Sequence, residues 1–138
     1  MDKGRRNLGK NMSETENKKK TILAVDDSKI MHRLVKQVLG KEYRVLVADN
    51  AVDALSTIYH EQVAVLLLDV SMPDIDGLEL CRTIRTIPQF ESLPIIMLTA
   101  RDSSFDKVKG HLAGATEYLT KPFDHEKLHQ VISKLLNE

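Results

Sequence analysis

Acidic side chains, one threonine and one lysine stand at the ends of short apolar runs in this sequence. Asp69 ends the run V-A-V-L-L-L-D, Asp26 and Asp27 follow T-I-L-A-V, Thr99 ends I-I-M-L-T, and Lys121 follows Y-L-T. Short apolar runs bounded by turn residues are typical of strands buried on both faces of a parallel sheet. In open α/β sheets the ligand crevice lies beyond the carboxyl ends of the strands. We therefore expect these five side chains to converge on one crevice.

Each of these residues also has an ordinary structural interpretation. Asp26, Asp27 or Ser28 could cap a following helix, although only one cap is needed. Asp69 could be a turn residue, Thr99 an ordinary strand residue and Lys121 a solvated side chain. The pattern alone leaves these interpretations open for each residue taken singly.

Five strands alternate with five helices in the periodicity from Thr21 onward. The strands are predicted at Thr21–Val25, Tyr43–Val47, the run ending at Leu68 and Asp69, the run I-I-M-L-T and the segment A-T-E-Y-L-T. The helices are predicted from Ser28 to Gly40, at Ala51–His60, through Leu78, Cys81 and Ile84, through Phe105, Val108 and Leu112 up to Gly114, and through Leu128, Val131, Ile132 and Leu135. Short connections force parallel pairing with right-handed crossovers, which predicts a doubly wound α/β sheet.

Composition and charge limit the class of protein. With 138 residues and 42% hydrophobic content, the chain builds one domain. Residues 1–20 carry seven basic and three acidic groups and almost nothing to bury, so we expect a disordered basic tail before a domain at 21–138. The remainder is net acidic, which argues against direct nucleic-acid binding. One cysteine, Cys81, fits a core thiol in a reducing cytoplasm, and no apolar run reaches the length of a membrane span.

The segments V-D-D-S, L-L-L-D-V-S-M-P-D-I-D-G, I-I-M-L-T-A and Y-L-T-K-P-F resemble the motifs of two-component response-regulator receiver domains, the CheY-like family. The resemblance spans Thr21 to Glu138 and is specific because order, spacing and strand-end placement all agree. It implies strand order 2-1-3-4-5 and a signalling protein that is not an enzyme beyond its own phosphorylation and dephosphorylation. It also implies a magnesium ion, a sensor histidine kinase or phosphotransfer protein as phosphodonor, and a downstream protein target.

The resemblance assigns roles to individual residues. Asp69 would accept the phosphoryl group, and Asp26, Asp27, Asp69 and the backbone carbonyl of Ser71 would hold magnesium. Carboxylate oxygens suit Mg²⁺, which usually binds one or two carboxylates together with phosphate oxygens. Thr99, the backbone amide of Ala100, and Lys121 would bind the phosphoryl group, with a cis bond between Lys121 and Pro122. Tyr118 would act with Thr99 in a switch, and Ser71 and Arg101 would tune the lifetime of the phosphoryl group.

Two other functions fit parts of the pattern. A haloacid-dehalogenase-like phosphohydrolase also uses a strand-end aspartate with magnesium, but position 71, where its second acid would stand, is serine. A pseudo-receiver would keep the fold as a protein-interaction module without phosphorylation. The five histidines form no metal-ligand pattern, and His125 and His129 are predicted to be a solvated pair. We expect no effector domain after Glu138 and expect the output from the face formed by the fourth helix, fifth strand and fifth helix.

Overall fold

A five-stranded parallel sheet forms the centre of the protein. The computed structural model describes residues 19–72, 76–100 and 104–138. The strands are β1 (Thr21–Val25), β2 (Arg44–Ala48), β3 (Val63–Asp69), β4 (Ile95–Thr99) and β5 (Glu117–Thr120). Neighbouring strands pair in parallel in the order β2-β1-β3-β4-β5. The doubly wound sheet and the strand order 2-1-3-4-5 are thus confirmed.

The predicted helices are also present. They are α1 (Lys29–Leu39), α2 (Ala51–His60), α3 (Gly77–Thr86), α4 (Ser104–Ala113) and α5 (His125–Leu136), with a 3₁₀ turn at Pro88–Phe90. Ser28 caps α1, since its hydroxyl accepts a hydrogen bond from the amide of Met31 at 3.2 Å. None of the helices in the described part of the chain is long and apolar enough to cross a membrane.

The three central strands, β1, β3 and β4, are buried on both faces, which explains why they appear in the sequence as continuous apolar runs. Alternate residues of β1, β3 and β4 supply two cores. One core, which includes Leu23, Leu66 and Met97, lies against α2, α3 and the end of α4. The other lies against α1 and α5 and includes Ile22, Leu67, Ile96, Val35 and Ile132. Cys81 is fully buried in the first core, as predicted for a core thiol.

The predicted start of the second strand was wrong. The second strand begins at Arg44 and not at Tyr43, because the Tyr43 amide closes a turn onto the carbonyl of Leu39 at 2.9 Å. Ile30 is 79% exposed, although it shares helical spacing with the half-buried Leu34 and Val38. On α4, Val108 is 56% and Leu112 79% exposed, so their apolar stripe faces outward.

Arg85 ties α3 to the segment that leads into β5. Its guanidinium donates to the carbonyl oxygens of Gly114 at 2.8 Å and Phe90 at 3.0 Å, and to the hydroxyl of Thr116 at 3.3 Å. Burial lowers the pKa of Arg85. Gly114 has φ +106°, and a Cβ there would meet the Arg85 side chain at 2.7 Å. A glycine is therefore required where α4 ends.

The two ends of the domain contact each other. The Tyr43 hydroxyl donates to Glu138 Oε1 at 2.7 Å, and Lys20 Nζ lies 3.5 Å from Glu138 Oε2. The Lys20 carbonyl accepts from the amide of Arg44 at 2.9 Å. Residues 1–18 lie outside the described residues, so the disordered tail at 1–20 stays a prediction.

Candidate functional site

The predicted site residues meet at the carboxyl end of the sheet. Asp26 directly follows β1, Asp69 ends β3, Thr99 ends β4, and Lys121 directly follows β5. Asp69 pairs with Leu98 in the β3–β4 register, and the Lys121 amide donates to the Thr99 carbonyl at 2.6 Å. Parallel strands in this register place all four residues at one edge, as the sequence predicted.

Asp26 is fixed by its backbone and by its carboxylate. Its amide donates to the Ala48 carbonyl at 3.0 Å, which joins the residue to β2. One carboxylate oxygen accepts from the amide of Ser28 at 3.0 Å, and the other accepts from Lys121 Nζ at 3.2 Å. The residue is only 1% exposed. The Asp26 carboxylate therefore occupies a defined position inside the crevice.

Asp69 is similarly held, with one carboxylate oxygen on each side of the crevice. Oδ1 accepts from the amide of Ser71 at 2.9 Å and from its hydroxyl at 2.7 Å. Oδ2 lies 3.1 Å from Lys121 Nζ. The residue is 3% exposed, whereas Ser71 lies at the surface. Ser71 thus stands between Asp69 and solvent, two positions after the carboxylate it contacts.

The electrostatics of the crevice are those of two buried carboxylates that share one ammonium group. Burial raises the pKa of Asp26, and the nearby Asp69 charge acts in the same direction. Burial also pushes the pKa of Asp69 upward, but the hydrogen bonds from Ser71 and Lys121 outweigh it and lower that pKa. Burial would lower the pKa of Lys121, and the two carboxylates together raise it instead. When two nearby carboxylates titrate as a pair, the pKa of one commonly rises and the pKa of the other falls.

A third carboxylate completes an acidic cluster. Asp26, Asp27 and Asp69 each offer an oxygen, and these oxygens lie within 4.8 Å of one another. Asp27 is exposed, so the cluster opens to solvent on its side. Three carboxylates against one ammonium group leave an excess of negative charge, and the donors are all oxygen. This donor set fits a hard divalent cation.

Thr99 and Ala100 flank the cluster on the β4 side. Thr99 is buried, and Ala100 is exposed. Ala100 and Lys121 line a small apolar cavity of about 310 Å³ with Met31, Leu34, Pro122 and Phe123. The Lys121–Pro122 bond is cis, as the resemblance implied. A cavity of about 650 Å³ at the amino ends of the strands contains none of the predicted site residues.

Tyr118 lies on β5 beside α4. Its ring is half-buried, packs on the first core and makes an edge contact with His111, with ring centroids 5.7 Å apart. Its hydroxyl reaches the backbone of Gly110, where a Cβ would lie only 1.6 Å from the oxygen. We call the space over Gly110 the ring notch. Arg101, the remaining predicted residue, lies outside the described residues.

Sequence reasoning missed the contacts of two histidines. His32 Nε2 lies 2.6 Å from the carbonyl oxygen of Asp26, within the candidate site. His129 is half-buried and its Nε2 lies 3.1 Å from the Val38 carbonyl, so the prediction of a solvated His125–His129 pair was wrong for His129. Both partners are backbone carbonyls, which every residue carries, so the sequence held no signal for either contact.

Comparison with known proteins agrees with this site. Residues 22–133 match the response regulator receiver domain family. Protein PilG of Pseudomonas aeruginosa is 38% identical over 108 residues, which cover 78% of this chain and 80% of PilG. Response regulator MprA of Mycobacterium leprae is 43% identical over 116 residues, which cover 83% of this chain but only 50% of MprA.

Solved structures give the same result. A putative response regulator from Chloroflexus aurantiacus superposes with a TM-score of 0.81 at 37% identity, covering 87% of this chain and 99% of that one. The chemotaxis protein CheY4 of Vibrio cholerae superposes with a TM-score of 0.81 at 33% identity, covering 85% and 98%. The strand order, the acidic cluster at the strand ends and these matches agree, and the chain belongs to the response regulator receiver domain family.

Proposed function

We propose that this protein is a phosphorylation-switched signalling protein of a two-component system that accepts a phosphoryl group on Asp69. One observation carries the proposal: the buried Asp69 carboxylate lies 3.1 Å from Lys121 Nζ and within 4.8 Å of two further carboxylates. Receiver domains belong to signalling proteins and are not classical enzymes. The chemistry of this chain would be limited to its own phosphorylation and dephosphorylation.

Phosphoryl transfer to Asp69 forms a bond between a carboxylate oxygen and phosphorus and breaks the bond between phosphorus and the donor atom. The transition state is loose and spreads negative charge over the equatorial oxygens, so catalysis is mainly positioning and charge neutralisation. Lys121, which is already beside Asp69, would neutralise one of these oxygens. The Thr99 hydroxyl and the Ala100 amide, at the end of β4, would donate to the others.

Asp26, Asp27 and Asp69, with the backbone carbonyl of Ser71, would hold a magnesium ion. The ion would supply positive charge against the incoming phosphoryl group. Without it, that group would meet carboxylates whose combined charge exceeds that of Lys121. Oxygen ligands and an opening toward solvent suit Mg²⁺, which keeps several of its waters.

Ser71 would also influence how long the phosphoryl group survives. It is exposed and contacts Asp69 through its amide and its hydroxyl, so it borders the path that water takes to the acyl phosphate. Arg101 is proposed for the same role from the resemblance alone. The side chains of both residues would act on hydrolysis and not on acceptance.

The signal would leave through the face formed by α4, β5 and α5. Two apolar residues of α4, Val108 and Leu112, are exposed, and Glu117 of β5 forms an ion pair with Lys134 of α5 at 3.4 Å. Tyr118 is part of this face, since it lies on β5, where it pairs with Met97 of β4, and its ring would change position when Thr99 engages the phosphoryl group. A protein target would read that change.

The proposed phosphodonor is a sensor histidine kinase or a phosphotransfer protein. Receiver domains as a family interact with such proteins. We place this exchange in the cytoplasm, where the buried Cys81 remains a thiol.

The test is labelling with a small acyl-phosphate donor and Mg²⁺, followed by intact mass and peptide mapping. We expect one phosphoryl group, on Asp69, with no labelling of Asp69→Asn and none after chelation of the metal. Asp124→Asn, at the exposed cap of α5, is the matched control and should label normally. Undiminished labelling of Asp69→Asn would overturn the assignment.

The same experiment separates the alternatives. A pseudo-receiver would remain unlabelled under all conditions. A phosphohydrolase would release phosphate from phosphate esters in many turnovers. The structure disfavours the latter, because the hydroxyl of Ser71 is already bonded to Asp69 where that class requires a second acid.

A further inference from the structure

We propose that His32 is a positioning residue for phosphoryl acceptance, because its ring fixes the peptide group that joins Asp26 to Asp27. His32 Nε2 lies 2.6 Å from the carbonyl oxygen of Asp26. A carbonyl oxygen only accepts, so the ring nitrogen donates and Nε2 carries a proton. This inference rests on the proposed function, since it concerns the carboxylates that would hold Mg²⁺.

The bond closes a circuit of three hydrogen bonds around the start of α1. The Ser28 amide donates to the Asp26 carboxylate at 3.0 Å, and the His32 amide donates to the Ser28 carbonyl at 3.1 Å. The His32 ring then returns to the Asp26 carbonyl. One residue of α1 is thus linked to both the backbone and the side chain of Asp26.

The position of this carbonyl determines where both carboxylates point. The Asp26 carbonyl and the Asp27 amide belong to one planar peptide group, so fixing the oxygen fixes the direction in which Asp27 leaves β1. Asp26 is held by Lys121, Ser28 and Ala48, whereas Asp27 is exposed. His32 therefore acts mainly on Asp27. Groups that orient metal ligands typically change metal affinity tenfold to a hundredfold when they are removed.

The test compares two substitutions of similar shape. His32→Gln keeps an N–H donor at the reach of Nε2, and His32→Met removes the donor at nearly the same length. Glutamine and methionine have similar helix propensities, so α1 is affected equally by both. His129→Met is the matched control, because it removes the same kind of ring-to-carbonyl bond, 3.1 Å long, from Val38 at the other end of α1.

The measurement is the dissociation constant for Mg²⁺, from backbone amide chemical shifts without any phosphodonor. We expect about tenfold weaker binding for His32→Met, near wild-type binding for His32→Gln, and no change for His129→Met. Labelling of His32→Met should need more Mg²⁺ yet reach the wild-type rate at saturation, since His32 contacts no reacting atom. If the role of His32 were purely structural, both variants would lose thermal stability, and their Mg²⁺ affinities would not differ from each other.

Equal Mg²⁺ affinity in wild type and folded His32→Met would overturn the role of His32 while leaving the proposed function intact. A wild-type protein that neither binds Mg²⁺ nor accepts label would overturn both. The wild type alone also decides the matter if His32→Met does not fold. In the wild type, the Nε2 proton of His32 should be protected from exchange with solvent. During the Mg²⁺ titration its resonance should shift with the same midpoint as the Asp27 amide, while the His129 resonance stays in place. An unprotonated Nε2 or an unmoved His32 resonance would refute the inference.

Discussion

The Asp26→Asn substitution should stabilise the metal-free protein. Asp26 is 1% exposed and lies within 4.8 Å of the carboxylates of Asp27 and Asp69. At an effective dielectric constant of about 20, repulsion from buried Asp69 is about 3.5 kcal/mol, and that from exposed Asp27 falls to about 1 kcal/mol after screening. Attraction to Lys121 at 3.2 Å is about 5 kcal/mol on the same scale, so the pairwise effects nearly cancel.

Desolvation then decides the sign. A buried carboxylate is penalised by several kcal/mol relative to water, and a neutral amide of the same shape is penalised less. Asparagine also keeps an oxygen that can accept from the amide of Ser28. We expect a net gain of about 1–2 kcal/mol, which raises the melting temperature by roughly 5 °C in a domain of this size. The raised pKa of Asp26 agrees with this direction, since it means that the folded site disfavours the charged form.

The assay is thermal unfolding in chelator and in Mg²⁺. At about one hundred times its dissociation constant, a ligand adds about 2.7 kcal/mol to the folded state. The wild type should gain this stabilisation from Mg²⁺, and Asp26→Asn should gain much less of it. The wild type should therefore be the more stable protein in Mg²⁺, although it is the less stable one in chelator. Asp124→Asn makes the same chemical change at an exposed helix cap, where asparagine caps equally well, and should be neutral. A melting temperature of Asp26→Asn at or below wild type in chelator would refute the reasoning.

Three further predictions concern the output face and the domain ends. Tyr118→Ala should accept phosphate on Asp69 at a nearly normal rate yet lose most of the phosphorylation-dependent gain in partner affinity; full retention of that gain in a folded, labelled variant would exclude the relay. Burial, together with the hydrogen bond to Glu138, raises the pKa of Tyr43 to about 12. Because the raised pKa favours the protonated phenol, the contribution of Tyr43 is complete below pH 10 and is lost toward pH 12. The stability advantage of wild type over Tyr43→Phe should therefore shrink by about 1–2 kcal/mol across that window in urea titrations, and a pH-independent difference would contradict it. Removal of residues 1–18 should leave melting temperature and labelling unchanged, since Lys20 supplies the carbonyl that Arg44 needs; a truncated chain that fails to fold would show that these residues are structural.

The central elements of the fold could be predicted because β1, β3 and β4 are buried on both faces. A strand such as β3, buried from Val65 to Asp69, leaves an apolar run that ends where the carboxylate begins. Strand order could not be read from periodicity, because β1 and β4 are equally apolar whichever neighbour they pair with. It came from the resemblance, and the structure confirmed it.

The site was predictable only in part, because the sequence reveals side chains at strand ends but not hydrogen bonds from side chains to distant backbone carbonyls. Asp26, Asp69 and Lys121 stand at strand ends, and the fold alone brings strand ends together. His32 lies six residues from Asp26 on a helix and bonds to a backbone oxygen. Arg85 likewise serves the carbonyls of Gly114 and Phe90. Such bonds depend on three-dimensional distance and leave no pattern of residue types.

At the ring notch over Gly110, the position of the Tyr118 ring determines how close α4 can lie to β5. Glycine inside a helix is less favourable than alanine by about 0.5–1 kcal/mol, and here its missing side chain is replaced by the hydroxyl end of Tyr118. The ring is thus a spacer between α4 and β5, and α4 cannot settle closer to the sheet while the ring stays in place. A partner that compresses this face would have to displace the ring, and a ring that leaves would let α4 move inward. At this face, the thickness of the helix-to-strand layer is therefore set by the rotation of one side chain.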